Sequence, residues 1–269
     1  MADGDREFAL LCPHCGEENP PEFPVCWNCH GHLPPRAAIP LKTETHEPSR
    51  DPEAVRRRRK RIAVELAVAI AVVWAPWFIA GLWYLGHPMS DLSVSHVLRG
   101  FADAVAILAL LFYFGWLDGD WRRRFGLSRP RLGKEALWTA IAWLSMQLAY
   151  TLAILIAMRL GLPGEGGSRP GFAGMAVWLA PLDFLVWALV EELFYRAYLW
   201  DRLTELTGRP VASIVISALL FSAGHVYPPI GTLSTFFIGV ILGWIFATRR
   251  SLWSLVLGHC LINVSIYFG

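Results

Sequence analysis

Seven apolar stretches separated by short polar connections dominate the pattern of this 269-residue chain. They comprise residues 62–85, 101–117, 136–158, 172–193, 211–226, 231–248 and 251–268. Two or three of them are close to the roughly 20 residues that an α-helix needs to cross a bilayer, and the others are slightly shorter. The pattern therefore predicts an all-α fold, a polytopic transmembrane bundle of about seven helices.

The composition supports this prediction. Hydrophobic residues make up 55% of the chain and charged residues only 17%, whereas soluble domains contain about 25% charged residues. A large soluble core is disfavoured, because seven such helices would leave little polar surface. The net charge of +2 gives no indication of nucleic-acid binding, so we expect the lipid bilayer, and no nucleic acid, among the partners.

Arginine and lysine residues concentrate on alternate connections. The run RRRRKR, Arg56–Arg61, directly precedes the first apolar stretch, and the second, fourth and sixth connections carry several more cations. Cations beside short loops mark the cytoplasmic side. We therefore predict a multi-pass plasma-membrane protein with its N-terminus in the cytoplasm and its C-terminus outside. A tether to anionic lipid or nucleic acid is the alternative for the arginine run, and lipid contact could coexist with the topology signal.

Two CxxC pairs, Cys12/Cys15 and Cys26/Cys29, lie near the N-terminus with ten residues between them. Four thiolates at this spacing are typical of a closed, tetrahedral structural zinc site. The spacing predicts a zinc ribbon over residues 8–33, in which the metal supplies most of the folding energy. Disulfides or a redox pair are the alternative, which a cytoplasmic location disfavours. The ribbon could recruit a cytoplasmic protein partner. Residues 34–61, rich in proline and charge, are predicted to form a linker.

Ionisable residues within the last four apolar stretches are costly in a bilayer, and they usually face the bundle interior at functional positions. Glu191 and Glu192 are adjacent, and Arg196 follows Glu192 at i,i+4. An acid four residues before a base is the favourable order for an ion pair on a helix. We therefore expect Glu192 to be neutralised and Glu191 to be available as a base.

The distances of the polar residues from the helix turns predict which of them share a level. Glu191 lies as far before the turn at Gly208 as His225 lies after it, so an antiparallel hairpin brings the two level. His259 and Asn263 share one face of the last helix. By the rise of a helix, their distance from the turn at Arg249–Arg250 places His259 about 12 Å closer to the cytoplasm than His225. The two levels agree if the hairpin around Gly208 projects into the cytoplasm by about two turns.

Together these side chains are the parts of a hydrolytic site. A carboxylate can take a proton from water, and Asn263 with one imidazole could stabilise an oxyanion. No serine or cysteine is obviously paired with a base, which argues against a covalent nucleophile.

Three short motifs resemble those of one family. The chain carries Glu191-Glu192-Leu-Phe-Tyr-Arg196, Phe221-Ser-Ala-Gly-His225 and His259-Cys-Leu-Ile-Asn263, which match the EExxxR, FxxxH and HxxxN pattern of the CPBP intramembrane proteases. That family includes type II CAAX prenyl endopeptidases and bacteriocin-processing or immunity proteins. The resemblance assigns residues 172–269 to CPBP-like catalytic helices and leaves residues 62–171 as additional N-terminal transmembrane helices.

The resemblance implies an intramembrane endopeptidase that hydrolyses a peptide bond in a peptide or membrane-protein substrate, with Glu191, Glu192, Arg196, His225, His259 and Asn263 as its catalytic residues. Two mechanisms stay open. Glu191, His225 and His259 could ligate a catalytic zinc, or Glu191 and His225 could activate water directly, which the local chemistry favours. Two other functions are also open: a non-enzymatic membrane scaffold or immunity protein that uses the polar cluster structurally, and an ion or proton pathway.

Overall fold

The computed structural model describes residues 10–12, 18–19, 52–87, 92–119, 121–161, 172, 174–225 and 229–268. The chain divides into two compact units, Met1–Arg58 and Arg59–Gly269. In the first unit, strands β1 (Leu10–Leu11) and β2 (Glu18–Asn19) pair antiparallel. They flank the first CxxC pair in the sequence.

The second unit is a helical bundle in which each predicted apolar stretch corresponds to one long helical segment. The α-helices of the chain are α1 (Pro52–Ala69), α2 (Ala75–Gly86), α3 (Val94–Trp116), α4 (Trp121–Arg124), α5 (Leu132–Arg159), α6 (Ala180–Glu191), α7 (Trp200–Thr207), α8 (Pro210–Gly224), α9 (Pro229–Arg249) and α10 (Trp253–Phe268). A π-helical turn, Ile70–Trp74, joins α1 to α2 in one continuous helix. The all-α fold of about seven helices is confirmed.

Not every segment is long enough to be a membrane span in its own right. By length and composition, four helices of the described residues can cross a bilayer: Pro52–Trp83, Val94–Trp116, Leu132–Arg159 and Gly231–Arg249. α8 and α10 are shorter apolar helices. α10 packs against α5 and α6, and α8 packs against α9. The histidine motifs therefore lie on the two shorter apolar helices, each of which has one face packed in the bundle and another exposed.

The start of α1 differs from the predicted linker boundary at residue 61. α1 begins at Pro52, so the last ten residues of that linker are helical. Proline is well suited to the first turn of a helix, and Glu53 adds an acid where the helix dipole favours one. Arg57 lies 3.4 Å from Glu53 at i,i+4. The charged sequence therefore continues the first apolar helix instead of interrupting it.

One end of the bundle is held together by a set of ion pairs around three buried members, Glu65, Asp118 and Arg202, and we call this set the ion-pair network. Its members are Arg61, Glu65, Asp118, Arg124, Asp201, Arg202, Glu205 and Arg250. Arg202 is 2% exposed and pairs with Asp118 and with Glu65, the latter at 3.1 Å. Arg124 pairs with Asp118 at 2.7 Å. The network thereby joins α1, the end of α3 and α7.

Two connections contact each other at the same end of the bundle. The amide of Leu252 donates a hydrogen bond to the carbonyl oxygen of Gly126 at 3.0 Å. Gly126 has φ +66°, and a Cβ there would lie 2.8 Å from the carbonyl oxygen of Arg250. A side chain at position 126 would therefore both strain the backbone and collide with the turn before α10.

Candidate active site

The helix that carries the two adjacent glutamates changes its winding between them. α6 ends at Glu191, and Glu192–Leu199 form a π-helical stretch that continues into α7. Such wide turns are frequent at functional sites. The side chains of Leu193–Trp200 are only 0–4% exposed. The bundle therefore encloses this stretch on every side and fixes the directions of the side chains that leave it.

Glu192 points into the protein and is fully buried. Its Oε1 lies 3.1 Å from Nη1 of Arg196 and accepts a hydrogen bond from Nδ1 of His259 at 2.7 Å. The guanidinium of Arg196 also lies over the ring of Phe221, 4.1 Å from the centroid, an arrangement that is favourable for a desolvated cation. This carboxylate is thus both charge-paired and hydrogen-bonded.

Glu191 faces the other way, toward two imidazole rings. Its Oε2 lies 3.8 Å from Nε2 of His225 and 3.6 Å from Nε2 of His259. Nδ1 of His225 donates a hydrogen bond to the carbonyl oxygen of Phe221 at 2.8 Å. Because Nδ1 of both rings is engaged as a donor, a neutral ring presents the lone pair of its Nε2 to Glu191. One carboxylate oxygen and two ring nitrogens therefore converge on a single point.

A cavity of about 260 Å³ opens beside this point. Glu191, His225, His259 and Asn263 all line it. Glu191 and His225 are each 17% exposed at the side chain, whereas His259 is 8% exposed. The structure thus brings the predicted acid, both rings and the amide to one cavity, while Glu192 and Arg196 lie behind it in the protein. The catalytic roles of these residues stay predictions.

The rest of the cavity wall includes residues for which the sequence predicts no function. They are Tyr150, Phe184, Gly231, Ser234, Thr235 and Tyr267, with isoleucines at 238, 262 and 266. Ser234 and Thr235 are hydroxyl residues at the start of an apolar helix, which is a weak sequence signal. Nothing in the local sequence marks the aromatic members, because aromatic residues are common throughout this chain.

Comparison with known proteins adds a family to this geometry. Residues 173–265 match the family model described as type II CAAX prenyl endopeptidase Rce1-like. The match covers about a third of the chain, and we call these residues the Rce1-like domain. No curated protein and no solved structure matches the chain. The family is one of proteases, which supports an enzyme, and the apolar helices are those of a multi-pass membrane protein.

The structure also shows how His259 reaches the level of Glu191. Arg250, at the turn before α10, lies 3.8 Å from Asp201 rather than beside Gly208. Asp201 precedes Gly208 by seven residues, about 10 Å of helix. The hairpin of α7 and α8 therefore extends past the turn before α10 by about the distance that the spacing of the motifs requires.

No set of three or more His, Cys, Asp or Glu side chains in the described part of the Rce1-like domain, or elsewhere in the described residues, has an arrangement that could hold a metal ion. A catalytic zinc held by Glu191, His225 and His259 stays a prediction. Of the ribbon cysteines, Cys12 is buried, and Cys15, Cys26 and Cys29 lie outside the described residues.

Proposed function

We propose that the Rce1-like domain is an intramembrane endopeptidase in which Glu191 activates water for attack on a peptide bond. The observation that carries this proposal is the convergence of Glu191 Oε2 with Nε2 of His225 and Nε2 of His259, at 3.8 and 3.6 Å, beside a cavity. A water between such groups can donate one proton to the carboxylate and the other to a ring nitrogen.

The hydrolytic step assigns Glu191 the role of general base. Glu191 accepts a proton as the water oxygen attacks the carbonyl carbon, which forms a tetrahedral intermediate with a negative oxygen. Collapse of the intermediate breaks the C–N bond, and the proton held by Glu191 passes to the departing amine. The products are a carboxylic acid and an amine, and Glu191 returns to its ionised form.

The negative oxygen of the intermediate needs hydrogen-bond donors. Asn263 lines the cavity one helical turn after His259, and its amide can donate to that oxygen. His259 can donate from Nε2 when the ring carries a proton, since its Nδ1 stays hydrogen-bonded to the carboxylate of Glu192. Donors aimed at an oxyanion typically contribute about 10²–10³ in rate each.

Glu192 and Arg196 act through other residues in this scheme. Glu192 holds Nδ1 of His259 and thereby directs Nε2 of that ring toward the cavity. Arg196 neutralises Glu192 and so keeps the negative charge of the site on Glu191. Both are positioning residues, because neither lines the cavity.

The test compares the membrane proteome of cells that contain the wild type with that of cells containing Glu191→Ala or His225→Ala. We expect an uncleaved precursor to accumulate in both variants, since loss of a general base typically lowers the rate by about 10²–10⁴. The amount of folded membrane protein should be unchanged. The matched control is Glu53→Ala, which removes a carboxylate that is 81% exposed.

Retained processing of every substrate by both variants would contradict the proposal and would favour a scaffold that uses the polar cluster structurally. Glu191-dependent ion flux in liposomes, without any cleavage, would favour the proton or ion pathway instead.

We further propose that Cys12, Cys15, Cys26 and Cys29 bind one structural zinc ion in the cytoplasm and that the catalytic site works without a metal. We expect about one zinc per purified chain. Cys12→Ser should lose it, whereas His225→Ala should keep it. Zinc that is lost in His225→Ala and retained in Cys12→Ser would contradict both statements. We also propose that the metal-bound ribbon recruits a cytoplasmic protein partner.

A further inference from the structure

The last turn of α8 determines where the imidazole of His225 lies. α8 ends at Gly224, and His225 leaves the helix with φ −101° and ψ 72°. Carbonyl oxygens in the last turn of a helix lack intrahelical donors. His225 supplies donors to two of them: its Nδ1 donates to the carbonyl oxygen of Phe221 at 2.8 Å, and its amide donates to that of Ser222 at 3.1 Å. The ring is therefore tied to this turn and moves with it.

A tryptophan from the first long helix of the membrane unit contacts the same turn. Nε1 of Trp74 donates a hydrogen bond to the carbonyl oxygen of Leu220 at 2.7 Å. The indole also lies against Gly224, where a Cβ would be 3.3 Å from Nε1 and 3.6 Å from Cδ1 of the tryptophan. On α9, the carbonyl oxygen of Thr232 accepts a hydrogen bond from the hydroxyl of Ser222 at 2.6 Å. Two neighbouring helices thus hold the last turn of α8.

The backbone at Trp74 is wound in an unusual way. Trp74 is the last residue of the π-helical turn Ile70–Trp74, and its ring stacks on that of Phe78 with the centroids 4.8 Å apart. Wide turns of this kind are frequent at functional sites. The other π-helical stretch of the described residues, Glu192–Leu199, directly follows Glu191. Both wide turns therefore lie beside the elements that carry the catalytic groups.

We infer that Trp74 is a positioning residue for the reaction, which holds His225 in place through the last turn of α8. Trp74 is not one of the described residues that line the cavity, so it acts through the helix and not on the substrate. It also lies outside residues 173–265, which match the family model. The first long helix thereby contributes to a site whose motifs all lie in the Rce1-like domain. The effect on catalysis rests on the proposed function, whereas the restraint on His225 rests on the contacts alone.

Three variants of the full chain test the inference. Trp74→Phe removes the N–H donor and keeps an aromatic ring. Gly224→Ala keeps the indole but places a methyl group 3.0 Å from the hydroxyl of Tyr195 and 3.3 Å from Nε1 of Trp74, which forces the indole to shift. Trp77→Phe is the matched control, because Trp77 is also a half-buried tryptophan of this helix and packs edge to face on Trp187 of α6 at 5.5 Å.

The first measurement is the rate at which diethyl pyrocarbonate modifies His225 in the purified protein, followed by mass spectrometry of its peptides. The reagent attacks an unprotonated ring nitrogen and requires no proteolysis. We expect His225 to react about fivefold faster in Trp74→Phe and in Gly224→Ala, the change that loss of one hydrogen bond typically causes in a population. His259, which is held by Glu192, is the internal reference and should react at the wild-type rate in every variant.

The second measurement is steady-state kinetics on the precursor that accumulates in Glu191→Ala membranes. We expect kcat per folded chain to fall about fivefold in Trp74→Phe and in Gly224→Ala, equivalent to about 1 kcal/mol of activation free energy. KM should be unchanged, because the cavity wall is intact. Trp77→Phe should match the wild type in both constants. A purely structural role of Trp74 would lower the amount of folded protein and leave kcat and the reactivity of His225 unchanged.

Modification of His225 in Trp74→Phe at the wild-type rate or below would overturn the inference, and so would faster modification with a normal kcat. An equal change in Trp77→Phe would overturn it as well, because the effect would then not be specific to the contact with α8. If Trp74→Phe does not fold, Gly224→Ala decides by the same criteria. If the wild type cleaves no precursor, the proposed function fails, and the labelling still decides whether Trp74 holds His225.

Discussion

Two clusters of charge meet the helical segment that runs from α6 to α7, and they are balanced differently. In the ion-pair network, the four carboxylates and four guanidinium groups named above carry charges that cancel. In the candidate active site, the described residues provide two carboxylates and one guanidinium, that of Arg196, which pairs with Glu192. With both rings neutral, the site carries one net negative charge, and that charge belongs to Glu191.

The difference separates a structural cluster from a chemical one. A guanidinium is always charged, so the network keeps its pairing at any physiological pH. Glu191 has instead two imidazoles as neighbours, with Nε2 atoms at 3.8 and 3.6 Å. Full compensation stabilises a fold, whereas an incompletely compensated carboxylate beside a cavity is available to accept a proton.

The largest expected effect on stability comes from Arg202→Met, which unbalances the network. Methionine fills similar volume but leaves one uncompensated negative charge among carboxylates that are 2% and 6% exposed, those of Asp118 and Glu65. We expect a loss of about 3 kcal/mol, the lower end of the cost of breaking a buried ion pair, because Asp118 keeps Arg61 and Arg124. Thermal unfolding in detergent should show a midpoint lower by roughly 10 °C.

Two controls sharpen this result. Arg202→Lys keeps the charge and should lose less. Asp201→Asn affects the more exposed edge of the network. There Arg124 still pairs with other carboxylates, and Arg250 stays over the ring of Trp200 at 4.4 Å. We therefore expect the free energy of unfolding to fall by about 1 kcal/mol or less. The folded fraction of Arg202→Met should hydrolyse its substrate at the wild-type rate. Equal stability of Arg202→Met and Asp201→Asn would contradict a structural role for the network.

The sequence predicted the members of the site better than it predicted the network. Glu191, His225 and His259 stand in three motifs whose spacing along helices sets their level, and level is most of what brings them together. The network joins residues such as Arg61, Asp118 and Arg202, which come from connections and helix ends. Their pairing depends on which helices are neighbours, and periodicity in one helix carries no information about that.

Other features escaped prediction for a related reason. The π-helical stretch at Glu192–Leu199 contains ordinary helix-forming residues, and its winding follows from tertiary packing rather than from local propensity. Tyr150 lines the cavity from α5, outside the motif-bearing region, so no motif could indicate it. The sequence does not indicate the helical start at Pro52, because charge and proline also characterise linkers, although proline is common in the first turn of a helix.

A smaller effect, this time on the site, is expected from Phe221→Leu. The ring of Phe221 lies 4.4 Å from that of His225 and 4.1 Å from the guanidinium carbon of Arg196. Leucine retains the apolar contact but has no aromatic face for the cation, an interaction worth about 0.5–2 kcal/mol. We expect stability to fall by about 2 kcal/mol and kcat to fall about tenfold, equivalent to 1.4 kcal/mol of activation free energy. Steady-state kinetics and thermal unfolding measure the two effects separately.

The hydrogen bond from Nδ1 of His225 to the backbone carbonyl of residue 221 does not require the phenyl ring. We therefore expect the tautomer of His225 to be kept, while its imidazole becomes less restrained. KM should therefore change little. Tyr195→Phe is the matched control, because the hydroxyl of that neighbouring buried ring has no hydrogen-bond partner among the described residues, and its removal should alter neither property. A normal kcat in Phe221→Leu would mean that aromatic packing does not hold His225 in place, and it would reduce the distinction between the two clusters to the charge on Glu191 alone.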